Sequence, residues 1–393
     1  MTQWFDDPMT QSPNRGRSLT PAALGYRVPA EWEPHEATWI AWPHNRTDWP
    51  GKFEAIPWVY AEIVRHLAQV ERVEIIVSDD AEEERSRRIL SKSHVELSNV
   101  RFHRWPTDRV WTRDSGPIFV RRDASSGEKG KPAKEQVRRA GGYASPLALT
   151  HWRFNAWAKY PDWKRDCTLP ARVAKVLKLP VWRPTVVLNG TRHEVVLEGG
   201  SIDVNGCGTL LTTEECLLSN VQQRNPGLSR ADLEHVFGEY LGIKKVLWLE
   251  AGIVGDDTHG HVDDIARFVS PDTVVAVVEG NKEDQNFEIL QNNLYRLQTM
   301  SDQDGRPLRV IPLPMPAPVI FRGQRLPASY ANFYIANGLV LVPTFNDVND
   351  RIALNSLAEL FPKRQVVGIY CGDFIWGLGA IHCMTQQQPK SSG

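Results

Sequence analysis

The stretch Ile352–Cys383, IALNSLAELFPKRQVVGIYCGDFIWGLGAIHC, contains the unit from which this chain is built. Leu354, Leu357 and Phe361 recur at helical spacing and so share one face, and Pro362 stops the helix. Val366–Tyr370 then reads as an apolar strand. Cys383 comes 17 residues after that strand begins, beyond a glycine-bearing turn.

The same order of helix, strand and polar residue recurs towards the N-terminus. Phe287, Leu290, Leu294 and Leu297 make a helical face ahead of a strand at Leu308–Ile311. Ser229 and Asp232 form a capping-box pattern that opens a helix with Leu233, Val236, Phe237 and Tyr240 inward, and the strand Val246–Leu249 follows. Ala171–Leu177 leads into Val181–Leu188. Ile56, Tyr60, Ile63, Val64 and Leu67 precede Val73–Val77. Hairpins are expected at Ile202–Thr212 around Asn205-Gly206, at Ile265–Val278 around Pro271-Asp272, and at Phe333–Val342 around Asn337-Gly338. Glu198 lies 17 residues after Val181, His261 lies 15 after Val246, and Asp114 lies 14 after Val100, which begins a further strand. Polar residues at equivalent places in successive units predict an α/β ring whose loops converge on one centre.

Composition narrows the partners. The net charge of −1 over 393 residues offers no basic surplus for nucleic acid, and no apolar run is long enough to span a membrane. Five cysteines without a CxxC pair disfavour a disulfide framework and suit a reducing, cytoplasmic setting. Residues 1–25 read as a flexible N-terminal arm, 26–390 as a single domain, and 123–145 as a surface loop within it.

Among the cysteines, Cys383 has polar neighbours and a glycine-bearing approach, which suit a nucleophile. Cys371 reads as core, and Cys167, Cys207 and Cys216 lack a comparable setting. The cluster Gly255–Asp264 contains His259, His261 and Asp263. It admits two chemistries: an HxHxD set of zinc-type ligands for a metal-dependent hydrolase, or His261 as a general acid/base serving Cys383. Asp114, Glu198 and Asp263 together make an anionic pocket. Such a pocket suits a planar guanidinium, whose fork of donors carboxylates accept in pairs.

The motifs WTRDSGP (Trp111–Pro117), LEGGSIDVNGCGT (Leu197–Thr209), GHVDD (Gly260–Asp264) and IHCMTQQQP (Ile381–Pro389) resemble those of agmatine deiminases and bacterial peptidylarginine-deiminase-like proteins. TWIAWP at Thr38–Pro43, FNAW at Phe154–Trp157 and LVPTFNDVND at Leu341–Asp350 match as well. The resemblance implies a pentein, a five-bladed α/β propeller of ββαβ units around a central active site, with no metal and no organic cofactor. It implies hydrolytic deimination through a covalent thiouronium, with Cys383 as nucleophile and His261 as acid/base. Asp114, Glu198 and Asp263 would bind the guanidinium, with Trp111, Arg113 and Asn346 completing the substrate-binding set. The substrate it implies is agmatine, hydrolysed to N-carbamoylputrescine and ammonia, with an arginine residue in a peptide or another small guanidine as the alternatives, and a homodimer suits the family. Members tend to continue FNAW with glycines, where this chain has Ala158-Lys159-Tyr160. They also tend to carry glycines and an asparagine ahead of His-Cys, where this chain has Gly377-Leu378-Gly379-Ala380.

Overall fold

The computed structural model describes residues 19–123 and 145–391. The arm expected over residues 1–25 is described only from Leu19, where Ala22–Leu24 form a single 3-10 turn. Residues 124–144 of the expected surface loop lie outside the described residues.

Each anticipated helix forms for the reason its pattern gives. In the helix Ile56–Leu67, with Pro57 in its first turn, the side chains of Ile56, Tyr60, Ile63, Val64 and Leu67 are all fully buried. Burying an aliphatic or aromatic side chain of this kind contributes about 1.5–3 kcal/mol. The helix Arg230–Leu241 has its Ser229–Asp232 capping box and ends at Gly242, whose φ of 72° is left-handed. The helix Val348–Leu360 starts on Asp347 and gives way at Phe361, just before Pro362.

Five sheets carry the ring. In four of them the first two strands are antiparallel and the third, reached through a helical crossover, runs parallel to the second. These are Ile118–Arg121 with Leu147–Thr150 and Val181–Trp182, then Asp203–Val204 with Thr209–Thr213 and Lys245–Leu249. Next come Ala266–Ser270 with Thr273–Val278 and Arg309–Pro314, and last Tyr334–Ala336 with Leu339–Thr344 and Gln365–Tyr370. The remaining sheet follows the same plan, with its first strand supplied from the far end of the chain. Gln386–Pro389 lies antiparallel to His35–Ala41, which is parallel to Arg72–Val77, itself parallel to Val100–Arg104. The last strand therefore closes the ring and fixes the Cys383 turn that precedes it. The architecture is the expected five-bladed α/β propeller.

Two elements depart from the sequence reading. Val181–Leu188 is not one strand: it breaks at Arg183-Pro184, and Thr185–Leu188 pairs instead with Thr191–Glu194 in a separate hairpin. Proline cannot donate to the ladder, which explains the break. A further helix, Asp80–Lys92, sits between Arg72–Val77 and Val100–Arg104. Its periodicity is muted because its buried face is largely polar, with Glu82, Glu83 and Ser86 beside Leu90.

Candidate active site

The loops leaving each blade for the next deliver polar side chains to the centre, two of them from one loop. Asp114 precedes Ile118–Arg121, Glu198 precedes Asp203–Val204, His261 and Asp263 precede Ala266–Ser270, Asn332 precedes Tyr334–Ala336, and Cys383 precedes Gln386–Pro389. All are buried.

His261 is the hub. Its Nδ1 lies 3.8 Å from Asp114 Oδ1 and 3.9 Å from Asp263 Oδ1, and its Nε2 lies 3.9 Å from Glu198 Oε2. These are charge-to-charge distances rather than hydrogen bonds, and both imidazole nitrogens, Glu198 Oε2 and Asp263 Oδ1 are buried without a partner. Such groups mark either strain or a place for a ligand. Burial works against a charged imidazole, but Asp114, then Cys216 and Glu198, outweigh it and hold His261 well above its ordinary pKa.

The carboxylates differ by their neighbours. Asp114 is fixed by Gly200 N at 3.0 Å and Trp157 Nε1 at 2.9 Å. Burial, helped by Asp263 and Glu198, raises its pKa to about 6 against the pull of His261. Glu198 is also buried, but Arg224, whose Nε donates to Oε1 at 3.1 Å, and His261 bring its pKa down to about 2. Asp263 is held low, against burial, by His382, whose Nδ1 is 2.7 Å from Oδ2. Asp264, buried beside Asp263, is pushed well above the carboxylate range.

Cys383 Sγ sits 3.7 Å from Asp263 Oδ2 and receives a 3.1 Å hydrogen bond from Asn332 Nδ2. Burial first, then Asp263, Asp264 and Asp114, raise its thiol well above the ordinary range. The free site therefore keeps the sulfur protonated. Two glycines let their backbone come close to these side chains. A Cβ on Gly200 would lie 2.6 Å from His261 Nδ1 and 2.8 Å from Asp114 Oδ1, and one on Gly379 would lie 3.1 Å from Cys383 Cβ.

The structure thus brings together Cys383, His261, Asp114, Glu198 and Asp263. Trp111 flanks the Cys383 turn, its ring 2.8 Å from the same notional Cβ on Gly379. Arg113 points elsewhere: its guanidinium meets Glu31 at 3.0 Å, Gln387 at 2.6 Å and the His382 carbonyl at 3.3 Å. A cation held away from the pocket avoids repelling a cationic ligand. Asn346 is exposed in a left-handed turn with φ of 58°, ahead of the helix Val348–Leu360. The zinc-type set His259–His261–Asp263 is not assembled. His259 turns to Ser219 at 3.1 Å and Glu215 at 3.6 Å, and neither donor cluster of metal-binding size among the described residues includes it.

Sequence reasoning missed Asn332, Arg224, Trp157 and Cys216. Asn332 occupies the fifth equivalent loop, but the hairpin Ile320–Phe321 with Gln324–Arg325 lengthens that loop and hides its register. Its signal was its place immediately before the strand expected from Phe333.

A five-bladed propeller whose loops gather a cysteine, a histidine and carboxylates defines a class of guanidine-modifying fold, the penteins. The family model of the Porphyromonas-type peptidyl-arginine deiminases matches residues 27–389, and the chain belongs to that family. It is 34% identical to an agmatine deiminase of Pseudomonas aeruginosa, over 94% of this chain and 97% of that one. To an agmatine deiminase of Medicago truncatula it is 35% identical, over 94% and 98%. The solved agmatine deiminase of Enterococcus faecalis superposes with a TM-score of 0.81 at 31% identity, covering 96% of this chain and 99% of that structure.

Proposed function

We propose that this chain is an agmatine deiminase, hydrolysing agmatine to N-carbamoylputrescine and ammonia through a thiouronium on Cys383. The observation that carries this reading is the set of unpartnered buried polar atoms on His261, Asp263 and Glu198 beside Asp114 and Cys383 Sγ, in a chain similar end to end to agmatine deiminases.

The guanidinium lies between Asp114 and Asp263, whose carboxylates accept its N–H groups in charge-assisted bonds worth about 1.5–3 kcal/mol each. Its positive charge offsets the carboxylates that raise the Cys383 thiol, so the thiolate forms in the substrate complex and not before it. Sulfur adds to the guanidinium carbon. His261, held protonated, gives its proton to the departing nitrogen, and the C–N bond breaks to release ammonia. The neutral imidazole then takes a proton from water. The resulting hydroxide adds to the thiouronium carbon, and collapse expels the Cys383 sulfur with a carbonyl in place of the lost nitrogen, the hydroxyl proton passing to the sulfur to restore the thiol. Glu198 acts through His261: Arg224 fixes one of its oxygens and the other faces Nε2, which turns Nδ1 towards the substrate.

The same reading carries a cytoplasmic enzyme, supported by five unpaired cysteines, and a homodimer, supported by the family resemblance alone. Among the described residues no helix is long and apolar enough to cross a membrane.

The test is ammonia release from agmatine, free arginine, an arginine-containing peptide and other small guanidines. Agmatine is expected to turn over fastest, and Cys383→Ala to lower the rate at least about 10³-fold, as loss of a covalent nucleophile does. Turnover of arginine peptides without agmatine would move the assignment to a protein-modifying deiminase.

A further inference from the structure

The side of His261 away from Asp114 and Asp263 holds a second donor cluster. Glu198 Oε2, His261 Nε2 and Cys216 Sγ lie within 4.8 Å of one another, all buried. Two of the three atoms, Glu198 Oε2 and His261 Nε2, have no hydrogen-bond partner although fully enclosed. The third is placed by local structure: Cys216 sits in the short helix Glu214–Leu218, where its N–H is capped by Thr213 Oγ1 at 3.0 Å. Arg224 holds Glu198 Oε1 at 3.1 Å and so leaves Oε2 as the free oxygen.

We infer that this trio is an inhibitory binding site for a borderline-soft divalent cation of the zinc type. A thiolate, a carboxylate and a neutral imidazole supply two negative charges and a mixed sulfur, nitrogen and oxygen set, which favours zinc over magnesium or calcium. Zinc bonds of about 2.0–2.3 Å need donors closer than they now stand, so the three atoms contract by roughly an ångström or less. The 3.9 Å between Nε2 and Oε2 is already close to that requirement. With three protein ligands the fourth position is open, and the Arg224 charge behind Glu198 opposes a further cation. The site therefore binds more weakly than a closed four-ligand structural site. A metal on Nε2 holds the imidazole neutral and fixed, so His261 can no longer protonate the departing nitrogen. Its effect is the opposite of a metallohydrolase: the ion switches the reaction off. The inhibition rests on the acid/base role proposed for His261, whereas the binding does not.

Binding is measured by calorimetry with zinc on metal-free Cys383→Ala protein, which removes the thiol of the neighbouring Asp263–Asp264–Cys383 cluster. One ion per chain is expected. Cobalt(II) in its place should give a thiolate-to-metal charge-transfer band that disappears when Cys216→Ala is added. In the enzyme with Cys383 intact, zinc inhibition of Cys216→Ala is read against that variant's own metal-free ammonia release, because Cys216 also touches the electrostatics of His261. The half-inhibiting zinc concentration should rise at least about tenfold, the equivalent of 1.4 kcal/mol. Cys216→Ser, closer in size, serves if the alanine variant fails to fold. No zinc binding to Cys383→Ala, or zinc inhibition unchanged by Cys216→Ala, overturns the inference. An enzyme inactive without metal but binding zinc through Cys216 would instead refute the deiminase reading and leave the site standing.

Discussion

Two buried polar clusters meet at Asp263, and they are built on opposite principles. On one side, Glu31 accepts from Arg267 at 2.9 Å, Arg113 at 3.0 Å and the Ile335 N–H at 2.8 Å, and its Oε2 lies 2.8 Å from His382 Nε2. Arg267 also pairs with Asp203 at 3.1 Å and donates to the Phe333 carbonyl at 2.8 Å. These residues come from all around the ring, and none of their charged atoms is left unpartnered. On the other side, Asp114, Glu198, His261 and Asp263 stand at 3.8–3.9 Å with four atoms unpartnered. The saturated cluster holds the blades together, and the open one leaves its hydrogen-bonding capacity for a ligand. Buried charge alone does not mark a functional site. Of these two clusters, the unsatisfied one is the one that gathers His261 beside Cys383.

The comparison can be broken at either side. The largest effect is expected in the open cluster. His261→Gln should lower kcat for ammonia release about 10²–10⁴-fold, the range for a general acid/base. Glutamine keeps most of the buried volume but not the counter-charge to the carboxylates, so the loss of chemical-denaturation free energy should be smaller than that of Glu31→Ala, where hydrogen-bonded ion pairs are broken. An equal stability loss there would erase the distinction. In the saturated cluster Glu31→Ala strands Arg267 and Arg113 without their counter-charge, and breaking a buried pair in this way costs about 3–5 kcal/mol. Unfolding in urea measures it, and an unchanged midpoint would show that the hub is dispensable.

A finer test lies at Asn332, which belongs to both clusters by position. Asn332→Asp keeps the shape and the oxygen that accepts from the His382 N–H at 2.9 Å, but loses the donor to Cys383 Sγ. A hydrogen bond to a thiolate is worth about 1.5–3 kcal/mol, so kcat should fall roughly 10–150-fold. The pH dependence of Cys383 alkylation should move upward, a change that a purely structural role would not produce. The smallest effect is expected at the edge of the site. Ala156, Trp157 and Ala158 all have φ between 50° and 58°, left-handed values that L-residues adopt at a cost. This strained turn delivers the Trp157 indole to Asp114. Ala158 is exposed, and Ala158→Gly should raise stability by about 0.5–1 kcal/mol with ammonia release unchanged. A loss of stability would mean that the turn is not under strain.

The repeat was legible in the sequence because helical and strand periodicities are local, and apolar faces such as Ile56–Leu67 record burial directly. The places of Asp114, Glu198, His261 and Cys383 followed from that repeat, since each ends the same kind of loop. Asn332 was lost where a hairpin stretched its loop, and Asp80–Lys92 where polar residues line the buried face.

What the sequence determined by itself was the unit, its repetition and the chemistry of the residues at its loops, because these depend on neighbours a few positions apart. Only the tertiary structure decided which residues face which. It turned Arg113 to Glu31, put Glu198 behind His261, separated His259 from the centre and placed Cys216 beside it. Those outcomes depend on ring closure by Gln386–Pro389 against His35–Ala41, a pairing between the two ends of the chain that no local pattern encodes.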